Sequence, residues 1–141
     1  MTEAPDPAAL ASELRVALGQ LARRLRAEHG FPIHHGAVLG RLDREGARSI
    51  GQLATAERVR PQSMAQTVQE LERRGLVARR TDPNDRRKVL VELTAEGRAA
   101  LEADRRHREG WLAEGIADDL TAAERATLTR ALDLLRRLTE R

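Results

Sequence analysis

The chain has 141 residues, 40% hydrophobic and 33% charged, with one Trp, one Phe and neither Tyr nor Cys. That length supports one domain with a real core, and the missing cysteine excludes disulfides, thiolate metal sites and thiol-based redox sensing. A net charge of +3 hides an uneven distribution: Arg58–Lys88 carries nine Lys/Arg against four Asp/Glu, residues 1–57 balance at seven each, and residues 89–141 hold nine basic against eleven acidic groups. Because Arg outnumbers Lys 24 to 1 throughout, the placement of the charge matters more than its chemistry, and it suggests a surface facing a polyanion. No apolar run approaches the roughly 20 residues of a membrane span. Met1–Pro7 lacks the basic and then apolar order of a signal peptide, so a short frayed start and a cytoplasmic protein are expected.

Leu10, Leu14, Leu18, Leu21 and Leu25 recur at spacings of four, four, three and four, one apolar stripe on a helix over residues 8–29. Gly30 and Pro32 end it. A second helix carries Val38, Leu39 and Leu42 and stops at Gly46. Ser49-Ile50-Gly51-Gln52 has the form of a capping box, opening a short helix with Ile50, Leu53 and Ala54 inside. After a turn at Arg58-Val59-Arg60, Pro61 suits the first position of the next helix, where its missing N–H costs nothing. That helix runs to Arg74 with Met64, Val68 and Leu71 inward, and Gly75 is placed to end it.

Two short strands follow over Gly75–Thr94. Their tip, Asp82-Pro83-Asn84-Asp85, is strong turn chemistry, and Val89, Val91 and Leu93 alternate as on a half-buried strand. Arg86, Arg87 and Lys88 follow the turn directly and are carried outward. Thr94 caps a long helix through about Ile116, weakened late by Gly110 and Gly115. Its charged middle, Glu102–Glu109, is expected to cross solvent. Thr121 and Glu124 form a second capping box, and Leu128, Ala131, Leu132, Leu135 and Leu138 make a stripe to the C-terminus.

The order is helix, helix, helix–turn–helix, two-stranded wing, long helix, helix. The fold class is therefore mainly α with a small β-hairpin wing, as a single domain over residues 1–141. The leucine-striped helices at the two ends could be buried within one chain. The favoured expectation is that they pack together and against the same helices of a second copy.

With these elements in place, the sequence resembles the MarR family of winged helix-turn-helix regulators over residues 8–140. The resemblance is strongest in Gly51-Gln52-Leu53-Ala54, in Gln69-Glu70-Leu71-Glu72-Arg73-Arg74-Gly75-Leu76-Val77, and in Asp82-Pro83-Asn84-Asp85-Arg86-Arg87. The family's wing signature is Asp-x-Arg, five residues, then Leu-Thr, and Asp85, Arg87, Leu93 and Thr94 match it. The resemblance implies a homodimeric repressor of double-stranded DNA, often released from its operator by a small-molecule effector. It also implies that residues 33–93 form the winged helix-turn-helix lobe and that 8–29 and 94–140 are dimerisation helices. Two positions depart from the family pattern: Arg58 and Arg60 replace the common Gly and Ser cap of the turn. Arg58 is unfavourable if its φ is positive, and Arg60 cannot cap as Ser does but can reach a phosphate.

A recognition helix enters the major groove by its first turns, which offer Pro61, Gln62, Ser63, Gln66 and Thr67. Gln69 and Glu70 lie further along and are read as beyond the bases. By resemblance, Arg87 probes the minor groove while Asp85 holds its guanidinium in a bidentate salt bridge; the competing role for Asp85 is a turn cap. Arg86, Lys88, Arg80 and Arg60 are read as phosphate contacts, raising affinity without sequence information.

No convergent catalytic set is present, so no enzymatic activity and no cofactor are expected. A metal-responsive regulator would draw on His29, His34 and His35 near the junction of the first two helices, with a second copy bringing His107 or Asp104 to them. However, adjacent helical residues point about 100° apart, which argues against His34 and His35 sharing an ion, and no metal is assigned. Phe31, Ile33, His34, His35 and Trp111 are candidate effector-pocket residues, with core or interface roles as the alternative for Phe31 and Trp111. A non-specific architectural DNA-binding protein is the remaining alternative.

Overall fold

The computed structural model describes residues 4–141, so the first three residues of the expected frayed start lie outside the described residues. Helix α1 (Pro7–Ala27) is capped by Asp6, whose carboxylate accepts the Ala9 N–H. Helices α2 (Ile33–Glu45), α3 (Ile50–Glu57) and α4 (Pro61–Arg73) follow, then strands β1 (Val77–Asp82) and β2 (Asp85–Leu93), and finally α5 (Ala95–Asp119) and α6 (Ala122–Thr139). The mainly α class with one hairpin is what the chain adopts.

Local chemistry sets most boundaries. Ser49 and Gln52 form the capping box of α3, and Thr121 and Glu124 that of α6. The Thr121 backbone N–H, and then its side chain, hold the Glu124 carboxyl below the usual glutamate range. That box therefore contributes stability at neutral pH and loses it as acid protonates Glu124. Pro61 stands in the first turn of α4. At its other end, Gly75 has φ 72. There the Leu76 N–H bonds the Leu71 carbonyl and the Gly75 N–H bonds the Glu72 carbonyl, both at 3.0 Å, a Schellman ending that only a residue at ease with positive φ closes cheaply.

The buried cluster joins Val38, Leu39 and Leu42 of α2, Leu53 and Ala54 of α3, and Met64, Val68 and Leu71 of α4 to Phe31, Leu76, Val77, Val91 and Leu101. Thr94 clasps the hairpin to α5. Its N–H bonds the Leu76 carbonyl, its hydroxyl donates to the Gly75 carbonyl and accepts the Gly97 N–H. A Cβ at Gly97 would overlap the Leu76 carbonyl and stand 2.9 Å from Leu93 Cδ1, so the start of α5 lies hard against the base of the hairpin.

Two expectations change. Val89 is exposed: it pairs with Thr81 where the hairpin leaves the body, and only Val91 of the alternating set is fully buried. Val91 also exchanges two backbone hydrogen bonds with Arg48, so the segment before α3 adds a one-residue third strand. The charged middle of α5 is not wholly in solvent either. Asp104 is 6% exposed because its carboxylate accepts the Gly30 N–H at 2.7 Å, lies 2.6 Å from His29 Nδ1 and stands 3.3 Å from Arg108 Nε. A buried carboxylate persists where donors surround it. Neither α1 nor α6 contains a buried residue, so the less favoured alternative, burial of the end helices within one chain, is not what the fold does.

Candidate nucleic-acid interface

Helix α4 turns Met64, Val68 and Leu71 into the core. At about 100° per residue, the opposite side carries Gln62, Gln66, Gln69 and Arg73, all exposed. Pro61 and Ser63 are exposed and Thr67 half-buried. Ser63 and Thr67 both stand on the flank of the helix, where with His34, Val38, Val59 and Met64 they line a cavity of about 170 Å³. Of the five residues expected to enter a groove, Gln62 and Gln66 thus point away from the body, Pro61 opens the helix, and Ser63 and Thr67 look sideways.

The turn before α4 is strained, which meets the condition set by the family's usual Gly at this position. Arg58 has φ 56 and ψ 43, the left-handed region, which costs a residue with a Cβ. Arg60 precedes the first helical residue without a side-chain capping bond. Both guanidinium groups are exposed and outside every ion pair among the described residues.

At the tip, Asp82 bonds the Asn84 N–H at 2.9 Å and Asp85 the Arg87 N–H at 3.0 Å. The register runs from Val77↔Leu93 to Thr81↔Val89 and then jumps to Asp82↔Asp85. Arg86, Arg87 and Lys88 therefore have no cross-strand partner, and such a bulge re-aims the side chains it carries. Among the described residues, none of these three cations makes an ion pair. The carboxylate of Asp85 engages the main chain of Arg87 rather than its guanidinium, because an Asx turn two residues long forms without DNA. Arg80, expected to be free, donates to Glu92 across the hairpin at 2.7 Å. Arg79 is similarly held near Glu72 at 3.4 Å.

The candidate effector residues do not converge on one cavity. Phe31 is core and lies beneath Arg74, 5.4 Å from the ring centre, at the edge of a cleft of about 550 Å³ shared with Glu28 and His107. Ile33 is exposed. His34 lines the smaller cavity beside α4. His35 is 9% exposed, with Nε2 2.8 Å from Glu70 on α4 and Nδ1 unpartnered. Trp111 is half-buried under the Arg24 guanidinium. Nor do the histidines gather: His29 faces Asp104 and His107 faces Glu28. Among the described residues no three His, Cys, Asp or Glu side chains stand together to hold a metal. Asp104 reaches residues 29 and 30 within one chain, where the sequence placed it near the histidines only through a second copy, and the link of Glu70 to His35 was missed in the sequence. These links join residues about 75 and 35 apart, and only a folded chain reveals them.

A three-helix core, a strained turn into an exposed polar helix and a basic bulged hairpin define a winged helix-turn-helix protein. A sequence model of the MarR family matches residues 29–88. The chain is 40% identical over 131 residues to an HTH-type transcriptional regulator of Mycobacterium bovis, covering 91% of each. It superposes with a TM-score of 0.81 on a solved structure from Pseudomonas aeruginosa described as a transcriptional regulator, 38% identical, covering 97% and 99% of the two chains. A MarR family protein from Bacillus stearothermophilus shares the fold at 24% identity and a TM-score of 0.71, covering 95% of each chain. This chain belongs to the MarR family and is a transcriptional regulator of that family.

Proposed function

We propose that the protein is a homodimeric repressor that binds a pseudo-palindromic operator in double-stranded DNA and releases it when a small molecule binds. The observation that carries this is the pairing of two free surfaces in sequence: the outward polar side of α4 and, directly after it, a wing tip whose three cations have no ion-pair partner among the described residues. In this reading residues 33–93 are the DNA-binding lobe. Gln62 and Gln66 face the major groove, Arg87 reaches the minor groove, where a narrow A·T tract concentrates negative potential, and Arg60, Arg86 and Lys88 hold phosphates. Arg80 can join them only by leaving Glu92.

Residues 8–29 and 94–140 are the dimerisation helices. Leu10 is 52% exposed and Leu138 56% exposed, and apolar stripes of this length are stable in water only when covered. A second copy covers them and sets two recognition helices about 34 Å apart. A protein that only occupies DNA lowers transcription by excluding polymerase, hence a repressor. The cleft beside Phe31 lies between α5 and the junction of α1 with α2, where a ligand would change the angle between the two parts.

The test is selection from sheared genomic DNA at near-physiological salt. An enriched inverted repeat with half-sites one helical turn apart is expected. A flat, salt-sensitive pool would overturn the reading in favour of an architectural role.

A further inference from the structure

The outward side of α4 presents a narrow chemistry. At about 100° per residue, Gln62, Gln66 and Gln69 fall within an arc of about 60°, centred opposite Met64, Val68 and Leu71. All three are exposed, and the only glutamine side chain hydrogen-bonded within the described protein is that of Gln52, in its capping box. Before Arg73, which ends the helix on this side, the other base-reading groups of α4 lie off it. Glu70 is engaged by His35 and Glu72 stands against Arg79, and at about 100° per residue both lie roughly 70–90° from the centre of the glutamine arc. From Pro61 to Glu72 there is no Lys or Arg, the usual partners of guanine O6 and N7. Ser63 and Thr67 line the cavity beside α2.

What remains is an uncharged amide at three successive levels. A glutamine amide matches one base edge with two hydrogen bonds: its N–H donates to adenine N7 while its oxygen accepts from adenine N6–H. Along a helix rising 1.5 Å per residue, the three amides span about 10.5 Å, roughly three base-pair steps. We propose that Gln62, Gln66 and Gln69 form a ladder reading adenines, on either strand, in the central major groove of each half-site. Gln69, placed beyond the bases by its position in the sequence, thereby becomes the third reader. Specificity over these three levels resides in A·T pairs; the one cation on this side, Arg73, is the last residue of α4 and lies beyond the ladder.

The ladder presupposes the operator-binding reading above, and its test separates the two. The wild-type dimer first selects its site from random duplex DNA. Adenines of the half-site are then replaced singly by 7-deazaadenine, which keeps base pairing and N6 but lacks the N7 acceptor. A full bidentate contact is worth roughly 5- to 150-fold, so three central adenines should show a loss of up to that size. Gln66→Ala should lose adenine preference at one of them and become indifferent to 7-deazaadenine there, with Gln62→Ala and Gln69→Ala acting at the others. These substitutions favour the helix, so folding is preserved. A selected half-site without central adenines, or 7-deazaadenine bound as tightly as adenine, overturns the ladder and leaves operator binding standing. A pool with no enriched sequence overturns the operator reading and the ladder with it.

Discussion

At the scale of single residues, Asp85 decides how the wing presents Arg87. Its carboxylate accepts the Arg87 backbone N–H at 3.0 Å, which fixes the main chain while leaving the guanidinium free to enter a groove. Arg87→Ala should then weaken operator binding by about 1.5–3 kcal/mol, the usual worth of a hydrogen bond to a charged group. Asp85→Ala should weaken it less, by loosening the turn. Asp85→Asn keeps an acceptor oxygen and should bind nearly as wild type in fluorescence anisotropy. Should Asn bind as poorly as Ala, the carboxylate itself, and hence a salt bridge to the guanidinium, would be what matters. The wing's turn was legible because its chemistry is local to Asp82–Asp85. The pairing state of Arg80 was not, because Glu92 lies twelve residues away across a register that only folding sets.

At the scale of elements, the same distinction holds. Caps are written in neighbouring residues, so Ser49, Pro61, Gly75, Thr94 and Thr121 all mark real boundaries. Positive φ at Arg58 was raised only by the resemblance, because Gly is common at that turn in the family. The Arg48–Val91 bridge and the burial of Asp104 were not legible, since each depends on strands or helices meeting in space. Gly97 belongs to this second kind: its role is close approach of α5 to the Leu76 carbonyl rather than backbone freedom. Gly97→Ala should lower stability by about 1–3 kcal/mol through overpacking. Gly110→Ala, where an added methyl meets nothing within 4 Å, should raise it by about 0.5–1 kcal/mol through helix propensity. Thermal unfolding of the two variants checks this. A destabilisation of equal size in both would show that the clasp at Thr94 is not tight.

At the scale of the molecule, the leucine stripes of α1 and α6 read correctly as helices, while their lack of burial within one chain was open until the fold was seen. Exposed side chains such as Leu18, Leu21, Leu132 and Leu134 are half or nearly half accessible. Covering them by a second copy would join the two lobes and set the spacing of their recognition helices. Everything proposed for the operator, from its inverted repeat to its adenine positions, depends on that second copy. The most direct measurement is sedimentation equilibrium of the free chain at micromolar concentration. A mass of about 31 kDa, twice the 15.7 kDa of one chain, is the result expected from closed two-fold association. A single species at 15.7 kDa, unchanged on raising the concentration, would contradict it.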